Sequence, residues 1–152
     1  MKKIIILFQI LLIMTTASCG NYESIYSSKK NNFNIISIEI DKISEINSKI
    51  KNSLKTFSNA DSKKNFSIKI STKKTISVTS KNSKGDPKTY SMKIDLNLEV
   101  DENNKKMNNI FTESFGYNNK SNKFDLKKYE RNIQNNLTDK IIENITLYLS
   151  TI

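Results

Sequence analysis

Two stretches of strict alternation constrain this chain more than any other feature. Phe66, Ile68, Ile70, Thr72, Ile76 and Val78 alternate with Ser67, Lys69, Ser71, Lys73, Thr75, Ser77 and Thr79. After Lys81–Pro87 (KNSKGDP) the pattern resumes, with Tyr90, Met92, Ile94, Leu96, Leu98 and Val100 on one side and Ser91, Lys93, Asp95, Asn97 and Glu99 on the other. A period of two places successive side chains on opposite faces of a strand. The pair therefore reads as one long hairpin, apolar on one face and polar on the other, with Gly85-Asp86-Pro87 in its turn. An apolar sheet face has to be covered by another layer.

The covering layer is legible on either side of the hairpin. Ile43, Ile46, Ile50, Leu54 and Phe57 recur at steps of three and four, one face of a helix between Asp41 and Ser58. Asp41 and Ser44 both qualify as its N-cap. Leu126, Tyr129, Ile133, Leu137, Ile141, Ile145, Tyr148 and Leu149 form the stripe of a second helix, with Asn122 and Asp125 at its start. Phe33–Ile40 is short and β-branched, a strand. Glu102–Lys105 makes a turn into a further strand over roughly Lys106–Tyr117, whose irregular apolar set (Met107, Ile110, Phe111, Phe115, Tyr117) predicts a bulge. The order is β-α-β-β-β-α. The expected architecture is an α+β two-layer sandwich, two helices on one face of a four-stranded mixed sheet, forming a single domain over residues 33–152. Strands this long outrun a single 15-residue helix, so the hairpin near residues 76–92 is expected to project beyond the helical layer.

The N-terminus reads as an address. Lys2 and Lys3 precede the apolar run Ile4–Met14, and Thr15-Thr16-Ala17-Ser18 leads to Cys19, the only cysteine of the chain. A basic start, a short apolar core and small residues before a cleavage point describe a secretory signal. The run is shorter than the ~20 residues that span a bilayer. With Ala17-Ser18 before the cysteine and Gly20 after it, the site resembles a bacterial lipobox, giving a lipoprotein signal peptide over 1–18 and a lipidated tether over 19–32. Cys19 is the expected lipidation site, carrying diacylglyceryl and N-acyl lipid. Several acyl chains together anchor stably where one alone is marginal.

Chemistry beyond that is sparse. The chain has no His, and its three Gly provide no phosphate-binding loop. Imidazole-based triads and zinc sites of the usual Cys/His spacing are excluded, and no metal site or dissociable cofactor is expected. Asp95, Glu99 and Asp101 fall on the wet side of a strand beside Lys93 and read as solvated surface rather than a catalytic pair. A non-enzymatic protein is expected. The net charge is +10, with 25 Lys+Arg against 15 Asp+Glu. Lys69, Lys73, Lys81, Lys84, Lys88 and Lys93 gather on the hairpin, where ammonium groups attract the phosphates or carboxylates of a lipid headgroup. Nucleic acid is not the expected partner of an exported chain. Lys, Asn and Ile are abundant throughout, as in proteins of AT-rich genomes, so a compositional reading of the lysines stands beside the functional one.

The segment Cys19-Gly20-Asn21-Tyr22-Glu23-Ser24-Ile25-Tyr26 resembles the start of the lipopolysaccharide-assembly lipoproteins of the LptE family. Tyr22, Ile25 and Tyr26 match; Ser24 stands where the family has Pro, and Asn21 is an insertion. Tyr117-Asn118 followed by Ser121 and Phe124, and the terminal Leu137, Ile141, Ile145 and Leu149, are similar to the family's ending. The first helix carries Lys49 and Lys51 where the family usually has Arg. The resemblance implies a non-enzymatic lipoprotein on the periplasmic side of the outer membrane. There it would plug and support assembly of the LptD-type β-barrel and assist lipopolysaccharide insertion into the outer leaflet. Lys81, Lys84 and Lys88 are the expected lipopolysaccharide-binding residues. The alternative is an auxiliary lipoprotein of an ABC-type envelope lipid transporter.

Overall fold

The computed structural model describes residues 31–152; the expected signal peptide, Cys19 and nearly all of the expected tether lie outside the described residues. Six elements follow in the expected order: β1 (Phe33–Ile40), α1 (Glu45–Phe57), β2 (Lys64–Lys81), β3 (Pro87–Glu102), β4 (Lys105–Asn118) and α2 (Lys123–Thr151). The sheet runs β1-β2-β3-β4, with β1 parallel to β2 and the other pairs antiparallel. The α+β two-layer sandwich and its mixed sheet are as the sequence pattern dictates.

Alternation sets the layers. Phe66, Ile68, Ile70, Met92, Ile94, Leu96, Leu98 and Val100 are buried against Ile46, Ile50 and Leu54 of α1 and Ile133, Leu137, Ile141, Ile145 and Leu149 of α2. Their removal from water drives folding at ~1.5–3 kcal/mol for each large side chain. α1 lies over β1 and β2, and α2 over β3 and β4, with the two helices packed on each other. The other sheet face is polar: Lys69 lies between Glu39 and Glu99, and Asp95 accepts from Thr112 (2.7 Å) and pairs with Lys93 (2.9 Å).

Four details depart from the sequence pattern. Ser44, not Asp41, caps α1, its hydroxyl accepting from the Asn47 amide at 3.1 Å. Ile43 consequently sits before the helix and is 90% exposed rather than part of its apolar stripe. β4 carries no bulge. It pairs residue for residue with β3, and Ile110 falls on the outer, solvated face. The third concerns how far the hairpin projects. α2 is 29 residues long, ~44 Å at 1.5 Å per residue, so its first turns follow β3 and β4 outward and bury Met92. Tyr90 stacks on Tyr117 (5.6 Å between centroids), which meets Tyr129 of α2 edge-on at 6.0 Å. The uncovered part of the hairpin is thus the far half of β2 and the turn, not all of residues 76–92. Finally, the register shifts occur in β1 at Ile35/Ser37 and in β2 around Ser80, positions that the residue pattern does not mark.

Candidate functional site: a basic hairpin tip and the cleft behind it

The chain enters the domain at the end opposite the hairpin turn. Asn31 donates from its side chain to the Phe57 carbonyl (2.8 Å), and Asn59 donates back to the Asn31 carbonyl (3.0 Å). Asn32 donates to the Ser150 carbonyl at 3.1 Å, and Lys64 contacts the carbonyl of Ile152. The last residues of the tether are thereby stitched to the ends of both helices. From there β2 runs 18 residues to the turn, ~60 Å at ~3.4 Å per residue. The molecule is polar in the geometric sense, with chain entry at one end and a basic tip at the other.

The tip is built by one side chain. The Asn82 Oδ1 accepts from the backbone amides of Lys84 (3.0 Å) and Asp86 (2.9 Å), and its Nδ2 donates to Asp86 Oδ2 at 3.2 Å. Asn82 and Asp86 also pair through the main chain, and Gly85 adopts φ +87°. A short polar side chain that bonds its own backbone two residues on is the mechanism by which Asn makes a turn, and Gly supplies the left-handed residue without steric cost. Lys81, Lys84 and Lys88 are all exposed around this single turn. Asp86 is the carboxylate among them.

Behind the tip, the inner face of β2 changes character. After Ile70 the inward positions are Thr72 and Lys74, then Ile76 and Val78. Thr72 is buried and donates its hydroxyl to Asn47 Oδ1 at 2.6 Å. Asn47, itself fully buried, donates to Asp41 Oδ1 (3.2 Å) and the Lys42 carbonyl (2.8 Å). Lys74 Nζ donates to Gln134 Oε1 at 2.7 Å, and Gln134 Nε2 donates to Glu45 Oε2 at 3.2 Å. These bonds close the sandwich where α1 begins. Beside them lies an open cleft of about 230 Å³, lined by Glu45, Lys74 and Gln134 together with Ile76, Met92, Lys127, Glu130 and Arg131. Sequence reading missed Lys74, Gln134 and Arg131; the available signal was the pair of polar residues at two successive inward positions of an otherwise apolar alternation.

Two perturbed ionisations sit on this scaffold. The Tyr117 hydroxyl donates to Glu130 Oε1 at 2.7 Å, and burial, then this carboxylate, push its ionisation far above the ordinary tyrosine range. The Ser71 hydroxyl, donating to Asp41 Oδ2 at 2.9 Å, holds that carboxyl below its ordinary value, with smaller help from Lys42 and Asn47. Among the described residues no group of three metal-ligating side chains comes together, and no described helix is long and apolar enough to cross a membrane.

The class so defined is a two-layer α+β sandwich of order β-α-β-β-β-α with a projecting basic hairpin. Solved bacterial lipoproteins share the fold. The crystal structure of rare lipoprotein B from Shewanella oneidensis superposes with a TM-score of 0.54 at 9% identity, over 74% of this chain and 95% of that one. The solution structure of uncharacterized lipoprotein B from Nitrosomonas europaea gives 0.54 at 12% identity, over 75% and 80%. At such identity the likeness is one of fold. No family model and no curated relative matches the sequence.

Proposed function

We propose that the protein is a bacterial outer-membrane lipoprotein, anchored through lipid on Cys19, that plugs and supports an LptD-type β-barrel and assists lipopolysaccharide insertion into the outer leaflet. The observation that carries this reading is the end-to-end polarity of the domain. The tether arrives beside Phe57 and Ser150, and the basic turn lies ~60 Å away along β2. A hydrocarbon core is ~30 Å thick, so a domain anchored at the periplasmic leaflet is long enough to carry its tip through a barrel lumen to the outer leaflet. The polar outer sheet face suits a polar lumen. The fold shared with rare lipoprotein B and lipoprotein B supports the lipoprotein part of the reading.

At the tip, Lys81, Lys84 and Lys88 are the groups assigned to the anionic phosphates or sugar acids of lipopolysaccharide. Three exposed ammonium groups outnumber the one local carboxylate, Asp86, and attract such groups electrostatically. The test is lipopolysaccharide capture by full-length protein carrying Lys81→Ala, Lys84→Ala and Lys88→Ala together. Capture falls, and falls further with added salt, if the tip is the contact. Undiminished capture removes the tip from the mechanism.

A further inference from the structure

β1 covers only part of its neighbour. Its pairing with β2 ends at Ile40 opposite Ile70, where the Asp41 amide donates to the Ile70 carbonyl at 3.1 Å. The chain then turns away into α1, while β2 continues to Lys81, paired on its other side with β3 throughout. Because the Ile70 carbonyl points toward β1, and neighbouring residues of a strand point their main-chain groups to opposite edges, Thr72, Lys74, Ile76 and Val78 present theirs to an edge that no strand among the described residues occupies. No Pro or Gly interrupts it. An open run of main-chain donors and acceptors is a template for another strand.

Charge selects the occupant. From Ser71 to Lys81 there is no acidic residue, while Lys73, Lys74 and Lys81 are basic. A second copy pairing antiparallel along the same edge would bring another run with three lysines and no carboxylate against this one, an approach of like charge with no compensating anion. Of the nearby carboxylates, Asp41 is engaged by Ser71 and Asn47, Asp95 by Thr112 and Lys93, and the two on the cleft, Glu45 and Glu130, by Gln134 and Tyr117; Lys74, Lys127 and Arg131 outnumber these two. Beneath the edge, Ile76 and Val78 are 42% and 44% exposed beside the cleft, with Arg131 and Lys127 on its wall. A strand laid along the edge would cover both apolar side chains and set its own carboxylates among these cations. β4, the other edge, carries Glu113 as well as its lysines and lacks this selectivity.

We propose that the β2 edge from Thr72 to Val78 is a strand-docking site for an acidic extended segment of a protein partner. The assignment stands on the sheet itself and goes beyond the lipopolysaccharide reading. Main-chain bonds supply the affinity of such strand addition and alternate side chains its specificity.

The test uses the full-length chain in detergent and a synthetic ten-residue peptide alternating valine with glutamate, beside its valine–lysine counterpart. Residue-resolved hydrogen exchange should slow at least tenfold at the amides of Thr72, Lys74, Ile76 and Val78 with the glutamate peptide and not with the lysine peptide. Ile76→Pro removes an edge-facing N–H while leaving the bonds to β3, and should weaken peptide binding at least tenfold. Lys73→Glu, which alters no main-chain group, should weaken it in the same direction. Equal binding of the two peptides, binding without protection at those four amides, or no binding of the glutamate peptide overturns the proposal. Protection that grows with protein concentration in the absence of peptide also overturns it, assigning the edge to a second copy.

Discussion

Lys74 of β2 and Gln134 of α2 meet side chain to side chain at 2.7 Å on the inner face of the sheet, 60 residues apart in sequence. On one side of this contact, toward β1, the sandwich is apolar and closed. On the other, β2 carries on without β1 and without α1 above it. The contact marks the boundary between the part of the molecule that makes it stable and the part that is free to meet something else.

The neighbouring buried bond tests the boundary most simply. Thr72→Val keeps the volume but leaves Asn47 Oδ1 buried without its donor, a loss of about 1–3 kcal/mol. Urea denaturation of the variant should show a lower midpoint with an unchanged slope.

The closed half is predicted to respond as a packed core. Leu96 and Ile141 are fully buried from opposite layers. Leu96→Ala and Ile141→Ala should each cost about 2–5 kcal/mol. Ile110→Ala, on the outer face, should lie within ~0.5 kcal/mol of the parent by the same measurement.

Capping separates two residues that look alike in the sequence. Ser44→Ala removes the acceptor of the Asn47 amide and should cost ~1 kcal/mol, within a range of about 0.5–2. Thermal unfolding by circular dichroism reads this directly.

The pH dependence has two arms. Tyr117 is held neutral far above the ordinary tyrosine value of 10.0. The folded state binds that proton longer than the unfolded state does, so the stability it contributes is complete below pH ~10 and is lost as the pH rises further. Asp41 and Asp95 are displaced the other way, Asp41 chiefly by Ser71 and Asp95 chiefly by Thr112, from an ordinary value of 3.8. Their contribution is present above about pH 4 and disappears as the pH falls through their lowered folded-state values. Tyr117→Phe should flatten the alkaline arm and leave the acid arm unchanged.

Much of this architecture was legible in residue spacing, and the places where it was not share a cause. A period of two identified β2 and β3, and steps of three and four identified both helices, because one face of each element is buried and one is wet. Ile43 and Ile110 are apolar residues that the chain leaves in water, so periodicity alone put one on a helix and read the other as a bulge. Lys74 is the converse, a charged residue on the inner face that stays exposed beside the open cleft while bonding Gln134. The parallel placement of β1, and hence the open edge, depends on which strand a short segment chooses as neighbour. Nothing local encodes that choice. The three tip lysines were visible as composition, whereas the Asn82 scaffold that presents them appears only in the folded turn.

The central claim is that this polar, tethered domain is the partner of a large outer-membrane barrel. The most direct measurement is affinity purification of tagged full-length protein from detergent-solubilised membranes, with the co-purifying proteins identified. A stoichiometric β-barrel of the LptD kind is the expected result. An inner-membrane lipid transporter in its place, or no partner at all, would contradict it.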